Sequence, residues 1–150
     1  VIRYLTNYNK LLEFCGVDID FEALKRAREM NPGVDFGYGD VETDVLPRER
    51  FDLVLVLEVL EHIPDTEKVF LNMQKLDAKH LLVSVPREPF FRMLNFLRGR
   101  HWKRLGNHPE HVHVWGKSEF KKIISKYFVI KKDYSSFPWM IFLLTKKDLK

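Results

Sequence analysis

Apolar runs alternate with amphipathic stretches over the first 86 residues of the chain. The clearest run is 52–57, where residues 53 to 57 are all apolar, as in a parallel strand that is covered on both faces. Three shorter apolar runs predict further strands at residues 11–17, 34–38 and 80–85. Helical spacing predicts helices between them, over 20–30 and 66–76. Such alternation is typical of the α/β class, with a mostly parallel, Rossmann-like sheet and helices on both faces.

The first of these helices has a start signal and a stop signal. Asp20 offers a side-chain acceptor for the free amides of the first turn. Asn31-Pro32-Gly33 ends the helix, because proline disfavours the helical conformation at the residue before it. Residues 16–20 therefore form the link between a strand and the helix that follows it.

The pattern changes after Pro86. Residues 90–97 place apolar side chains on one face and predict an amphipathic helix, and 117–126 predict another helix. Residues 127–133 and 139–145 predict two closing strands. Because the link between these strands is too short for a helical crossover, we expect an antiparallel hairpin.

Length and composition indicate one globular domain, residues 1–150. The chain has 45% hydrophobic and 31% charged residues, and no apolar run approaches the length of a membrane-spanning helix. The N-terminus lacks the zones of a signal peptide, so we expect a cytoplasmic protein. The single cysteine, Cys15, excludes a disulfide framework, and its apolar surroundings predict a place in the core.

Charge is distributed unevenly along the chain. Residues 1–86 carry 10 Lys and Arg against 16 Asp and Glu, whereas residues 87–150 carry 15 against 5. The basic half indicates either an anionic partner or a solvated lysine-rich surface. Its aromatic and basic segment 87–105 predicts either a substrate lid or peripheral contact with an anionic membrane. Nucleic acid is less favoured, because the aromatic residues share the apolar face and would be buried.

Carboxylates follow two of the predicted strands directly. Asp18 can accept hydrogen bonds from a ribose diol, and Asp40 can accept one from an exocyclic amine such as that of adenine. Ligands of open α/β sheets bind beyond the carboxyl ends of the strands, where these residues lie. The alternative is structural, since Asp is common in turns for its local hydrogen bonds.

Several segments together carry a family resemblance. They are residues 16–20, 39–41, 51–54 followed by 57–65, 82–86 and 108–115. These segments resemble the class I S-adenosylmethionine-dependent methyltransferases, and within them the small-molecule branch of the ubiquinone and menaquinone biosynthesis enzymes. The most specific match is 57–65, Leu-Glu-Val-Leu-Glu-His-Ile-Pro-Asp. The terminal hairpin also fits the family.

The resemblance implies a methyltransferase that binds S-adenosyl-L-methionine and methylates a small molecule. It places Asp18 on the cofactor ribose, Ile19 on the adenine and Asp40 on the adenine amine. Val41 belongs to the same cofactor motif, and Leu57 would lie beside the methionine part. A dehydrogenase-like nucleotide enzyme is a further alternative, which the 57–65 motif and the hairpin disfavour.

The chain departs from the family at one point. The glycine-rich turn after the family's first strand is missing, and residues 1–8 are similar to the helix that follows that turn. The expected first strand, between the strands that end at Asp18 and Leu57, therefore lies before Val1. We expect either an N-terminally incomplete domain or a chain whose neighbouring strands have closed the gap. The second case predicts a catalytically inactive binding or scaffolding domain.

Histidines are the candidates for acid–base chemistry. His62 and His111 are candidate bases because they carry imidazole groups, with a structural role in bracing the next helix as the alternative for His62. We assign no catalytic residue from the sequence. His108, His111 and His113 lack metal-ligand spacing, so we expect no metal and interpret them as lining a substrate pocket.

Overall fold

The computed structural model describes residues 1–43, 46, 49–87, 90 and 112–147. Its contacts divide the chain into two compact units, Val1–Arg48 and Glu49–Lys150, called here the first and the second unit. The predicted helix at 90–97 lies outside the described residues except for Phe90. Among the described residues, no helix is long and apolar enough to cross a membrane.

The first unit contains two helices and a two-stranded parallel sheet. Its elements are α1 (Ile2–Tyr8), β1 (Cys15–Asp18), α2 (Phe21–Met30) and β2 (Asp35–Tyr38). The register pairs Cys15 with Asp35 and Asp18 with Tyr38, so both strands end at the same edge. Leu24 and Phe36 are its buried apolar residues within the described part of the chain.

Helix α2 has the boundaries that its signals predict. Asp20 is the N-cap, and its Oδ1 accepts a hydrogen bond from the backbone N–H of Glu22 at 2.8 Å. At the other end, the Asn31 side chain donates to the Ala27 carbonyl at 2.8 Å. Gly33 then takes a φ of +87°, a conformation that glycine adopts without strain.

The second unit is a four-stranded sheet with helices. Its elements are β3 (Phe51–Leu57), a 3₁₀ turn (Leu60–His62), α3 (Thr66–Lys75), β4 (Ala78–Pro86), α4 (Lys117–Ile124), β5 (Phe128–Ser136) and β6 (Trp139–Lys146). The strand order is β3-β4-β6-β5. Strands β3 and β4 are parallel, and β6 is antiparallel to both β4 and β5. The α/β fold with a C-terminal antiparallel hairpin is therefore confirmed.

The core of the second unit lies on β4, β6 and the helices packed near them. Its completely buried side chains include four phenylalanines: Phe70, Phe120, Phe128 and Phe142. Ring pairs connect them, since Phe120 lies 5.7 Å from Phe142 and Phe70 lies 6.2 Å from Phe128 between centroids. Aromatic pairs at these distances add to the stabilisation that burial provides.

Two burial predictions are wrong. No residue of β3 is fully buried, and Leu53 is 47% exposed, because β3 is the edge strand of its sheet. Cys15 is exposed rather than in the core, at the start of a strand that pairs on one side only. Strands β1 and β3 belong to different sheets.

Candidate functional site

Asp18 ends β1 and shapes the turn into α2. Its Oδ1 accepts a hydrogen bond from the Asp20 N–H at 2.9 Å, which is an Asx turn. The Asp18 side chain is exposed, and its Oδ2 accepts no hydrogen bond within the described residues. The Asp18 carboxylate can therefore hold the turn and also accept hydrogen bonds from a ligand, because each of its oxygens has two lone pairs.

Gly39 brings the end of β2 close to β1. Its N–H donates to the Asp18 carbonyl at 3.2 Å. A Cβ added at Gly39 would lie 2.7 Å from the Val17 Cβ, a distance that no side chain tolerates. Glycine at this position is thus required for the close approach that sets Asp40 next to the end of β1.

Asp40 also carries local hydrogen bonds. Its Oδ1 accepts from the Glu42 N–H at 2.8 Å, and its Oδ2 accepts from the Thr43 hydroxyl at 2.9 Å. Local turn bonds, the structural alternative for these residues, therefore engage both carboxylate oxygens of Asp40 but only one of Asp18. They also fix the direction of the carboxylate, which is half-buried like the neighbouring Val41.

An apolar surface lies beside these carboxylates. Ile19 is 61% exposed and directly follows Asp18. Phe21, at the start of α2, stacks on Tyr38 with ring centroids 5.5 Å apart and an interplanar angle of 15°. Both rings are largely exposed, so this edge of the first unit offers acceptors and apolar contact area together.

The structure therefore brings four of the five predicted cofactor residues to one edge of the first unit. They are Asp18, Ile19, Asp40 and Val41, at the carboxyl ends of β1 and β2. The fifth, Leu57, is the half-buried last residue of β3 in the second unit, where it pairs with Ser84. Their roles toward a cofactor stay predictions.

Glu58 follows Leu57 in a conformation that few non-glycine residues adopt. Its φ is +55°, in the left-handed region. Its Oε1 accepts from the Ser84 hydroxyl at 2.7 Å, and its Oε2 accepts from the Trp139 indole N–H at 2.9 Å. A strained backbone conformation persists only where the surrounding contacts hold it in place. Here two side-chain hydrogen bonds hold the Glu58 carboxylate.

Glu61 is a buried carboxyl group in the 3₁₀ turn after β3. It is 1% exposed, and neither of its side-chain oxygens has a hydrogen-bond partner within the described part of the chain. Burial raises the pKa of Glu61 to about 7, although the residue's own backbone N–H lowers it in part, and the nearby charge of Glu58 raises it further. Its backbone carbonyl accepts from the N–H groups of Val112 and His113, at 2.9 and 3.1 Å.

The predicted histidines have different positions. His62 is half-buried at the end of the 3₁₀ turn. His113 stacks on Trp115 at 4.8 Å, and its Nε2 donates to the Pro64 carbonyl at 3.0 Å. His108 and His111 lie outside the described residues. Within those residues, no group of three or more His, Cys, Asp or Glu side chains is arranged to hold a metal ion.

Sequence reasoning missed Glu58 and Glu61 as individual residues. Both are acidic positions in the otherwise apolar stretch 57–61, at the end of a strand. That placement is a signal, because an acidic residue among core residues needs a partner or a function. What the sequence does not reveal is which of the two side chains finds partners: Glu58 does, and Glu61 finds none among the residues that the structure describes.

Comparisons with known proteins agree with the fold and the motifs. The family described as "Methyltransferase domain" matches residues 1–78, about half of the chain. A ubiquinone biosynthesis O-methyltransferase from Azotobacter vinelandii is 34% identical over 76 residues, which are 49% of this chain and 30% of that protein. The match therefore spans less than a third of the relative's length.

Two solved structures show the same fold at low identity. An S-adenosylmethionine-dependent methyltransferase from Mesorhizobium loti is 15% identical with a TM-score of 0.67, covering 89% of this chain and 80% of that one. The N-methyltransferase NodS from Bradyrhizobium japonicum, in complex with S-adenosyl-L-homocysteine, is 18% identical with a TM-score of 0.60, covering 91% and 67%. The chain belongs to the methyltransferase domain family, and its resemblance to the class I S-adenosylmethionine-dependent methyltransferases is confirmed.

Proposed function

We propose that this chain is an S-adenosylmethionine-dependent methyltransferase domain that acts on a small molecule. The observation that carries the proposal is the edge of the first unit, where Asp18 lies beside the exposed Ile19 and its Oδ2 accepts no hydrogen bond from the described residues. Family membership supports the cofactor, and the name of the Azotobacter relative supports a small acceptor with a hydroxyl group.

The residues at this edge fit the adenosine half of the cofactor. Asp18 accepts hydrogen bonds from the ribose hydroxyls, and Ile19 packs on the adenine ring. Asp40 and Val41 hold the amine edge of the base, where the bonds from Glu42 and Thr43 keep the Asp40 carboxylate in one direction. Leu57 is assigned to the methionine part on the resemblance alone.

When bound, S-adenosylmethionine would supply a methyl group on a sulfonium: the acceptor atom bonds to the methyl carbon while the carbon–sulfur bond breaks and S-adenosylhomocysteine leaves. The protein contributes mainly by aligning the reactants and excluding water from the site. The fixed turns at Asp18 and Asp40 contribute to that alignment. A cofactor held at its ribose and at its adenine loses rotational and translational freedom on binding, before the reaction. We assign no general base.

The test is the affinity for S-adenosylhomocysteine, which binds without an acceptor substrate. Asp18→Ala should weaken binding by about 1 to 3 kcal/mol, the cost of losing hydrogen bonds to a charged group. Asp35→Ala is the matched control, since Asp35 is an exposed aspartate at the opposite end of the same strand pair. Equal affinities of the two variants in a calorimeter would refute the placement of the ribose.

The acceptor class needs a second measurement. The chain is incubated with S-adenosylmethionine that carries a labelled methyl group and with a panel of phenols and other small hydroxyl compounds. Label in a small product that Asp18→Ala loses would support the proposal. Cofactor binding without transfer to any acceptor would instead favour the binding or scaffolding domain.

A further inference from the structure

The turn between β5 and β6 lies at the edge of the second unit where β3 and β4 end. Its residues are Phe137 and Pro138, and β6 then begins at Trp139, which pairs with Pro86 at the end of β4. We call Phe137, Pro138 and Trp139 the hairpin tip. Because ligands of open α/β sheets bind beyond the carboxyl ends of the parallel strands, the hairpin tip borders the region where a ligand of this unit is expected.

Glu58 fastens the hairpin tip to the end of β3. Its Oε2 accepts a hydrogen bond from the Trp139 indole N–H at 2.9 Å, and its Oε1 accepts from the Ser84 hydroxyl at 2.7 Å. Ser84 is buried on β4, and its carbonyl accepts from the Glu58 N–H at 3.2 Å. The backbone and the side chain of Glu58 are therefore held by the same buried residue. The indole is thus placed by a carboxylate that is itself fixed.

A second hydrogen bond holds the hairpin tip from the end of β4. The N–H of Arg87, which directly follows β4, donates to the Pro138 carbonyl at 2.9 Å. Two successive residues of the tip are therefore anchored, Pro138 through its backbone and Trp139 through its side chain. Anchoring of this kind is what a specific contact with a ligand requires, because it keeps the contacting side chains in one place.

Phe137 provides apolar contact area on this anchored turn. Its side chain is 57% exposed. Its ring packs at a steep angle against the Phe90 ring, with centroids 5.5 Å apart and an interplanar angle of 69°. The Arg87 guanidinium lies 5.1 Å from the centroid of the Phe90 ring. Phe137 is therefore supported from within the unit and still presents part of its ring to a ligand. A flat ring suits this surface best, because aromatic pairs gain more than the burial of their area alone provides.

We propose that Phe137 determines acceptor specificity by packing on a flat ring of the methyl acceptor, and that Glu58 is a positioning residue that acts through Trp139. The inference rests on the proposed function, since it names the part of the acceptor that the second unit recognises. Glu58 directly follows Leu57, which the resemblance assigns to the methionine part of the cofactor. Glu58 takes no proton in this role, because its carboxylate only fixes the indole.

The test measures the binding of two probe compounds to the whole chain, naphthol and its saturated counterpart decahydronaphthol. Both carry one hydroxyl group on two fused rings, but only naphthol is flat. A nuclear magnetic resonance titration of the isotope-labelled chain gives the affinity and also the location, through the amide signals of Phe137 and Trp139. We expect naphthol to bind at least about fivefold more tightly, and Phe137→Ala to reduce this preference below about twofold. Tyr4→Ala, which removes an exposed ring of the first unit, is the matched control and should retain the wild-type preference.

Three further variants test the role of Glu58. Glu58→Ala and Trp139→Phe should each weaken naphthol binding by about threefold to tenfold, because each removes the hydrogen bond that holds the tip. The double variant should bind as the single variants do, as expected for two residues that act through one bond. Glu58→Gln should stay within about twofold of the wild type, since an amide accepts from the indole N–H through its oxygen and donates to the Ser84 hydroxyl. A requirement for the negative charge would make Glu58→Gln as weak as Glu58→Ala.

Each part of the proposal can be refuted separately. A preference for naphthol that survives in Phe137→Ala, or signal changes confined to residues outside the hairpin tip, would overturn the specificity role. Equal losses in Glu58→Gln and Glu58→Ala would overturn the positioning role. If Glu58→Ala folds poorly, Trp139→Phe decides, because it keeps the bond between Glu58 and Ser84, and an unchanged naphthol affinity there would refute the positioning role.

The titration also separates this inference from the proposed function, since it needs no cofactor. A chain that binds S-adenosylhomocysteine but shows no preference for naphthol at the hairpin tip would refute the inference alone. A chain that shows the preference but does not bind S-adenosylhomocysteine would refute the proposed function, while the ring contact at Phe137 would stand.

Discussion

The buried carboxyl group of Glu61 predicts a stability that depends on pH. Burial raises its pKa from 4.5 to about 7 in the folded chain, whereas the unfolded chain keeps the ordinary value. Between these two values the unfolded chain loses the proton of Glu61 and the folded chain retains it. The free energy of unfolding should therefore fall as the pH rises from about 4.5 to about 7, and this contribution should level off above that.

The size of the effect follows from the two pKa values. One pKa unit corresponds to about 1.4 kcal/mol, so ionising Glu61 in the folded state costs about 3 kcal/mol at a pH above 7. That is a sizeable fraction of the about 5 to 15 kcal/mol that stabilises a typical domain. Because the side chain is 1% exposed, solvent screening removes little of the cost.

Glu61→Gln isolates this contribution. The amide is neutral at every pH, so the fall between pH 4.5 and 7 should disappear, although an amide without partners also costs about 1 to 3 kcal/mol at all pH values. Urea unfolding, followed by tryptophan fluorescence, to which the buried Trp115 contributes, gives the free energy of unfolding at each pH. Glu49→Gln, at an exposed position of the same unit, is the control and should retain the wild-type pH dependence.

The test compares how the free energy of unfolding changes with pH. The absolute stability of Glu61→Gln is not used, because it combines the removed charge with the cost of an amide without partners. If wild type and Glu61→Gln lose the same free energy between pH 4.5 and 7, the Glu61 carboxyl is not the group responsible. A wild-type stability that rises over this range would contradict the burial of an unpartnered carboxyl group altogether.

Two further predictions concern the turns at the edge of the first unit. Gly39→Ala should destabilise that unit by about 1 to 3 kcal/mol, because its Cβ meets Val17 at 2.7 Å, whereas Gly37→Ala, with no atom within 4 Å, should change stability by less than about 0.5 kcal/mol. Hydrogen exchange of the strand amides measures both, and equal protection in the two variants would refute the close approach. Asp20→Ala removes the N-cap bond to Glu22 and should cost about 0.5 to 2 kcal/mol, seen as faster exchange in α2, so unchanged exchange would show that the cap contributes nothing.

Local signals predicted the elements of this fold well. The bounds of α2 follow from Asp20 at its start and from Pro32 and Gly33 after its end, which act within a few residues. The apolar run of β3 was also sufficient to place the strand. Its burial was not predictable in the same way, because the number of neighbouring strands is a property of the whole sheet.

The candidate site was predictable only in part, for a related reason. Asp18 and Asp40 follow their strands directly, so their common edge follows from parallel pairing. The partners of Glu58 are distant in sequence, and its bond to Trp139 joins the residue directly after β3 to the terminal hairpin. Such contacts arise from the register of β4 with β6, which no local pattern encodes.

The central claim is that the strand ends of the first unit bind the cofactor. Hydrogen exchange of the chain, with and without saturating S-adenosylhomocysteine, tests this directly, because it locates the ligand as well as detecting it. We expect slower exchange at residues 18–22 and 39–43, with α1 and α3 unchanged. Exchange that is the same with and without ligand in a folded chain, or protection confined to other segments, would contradict it.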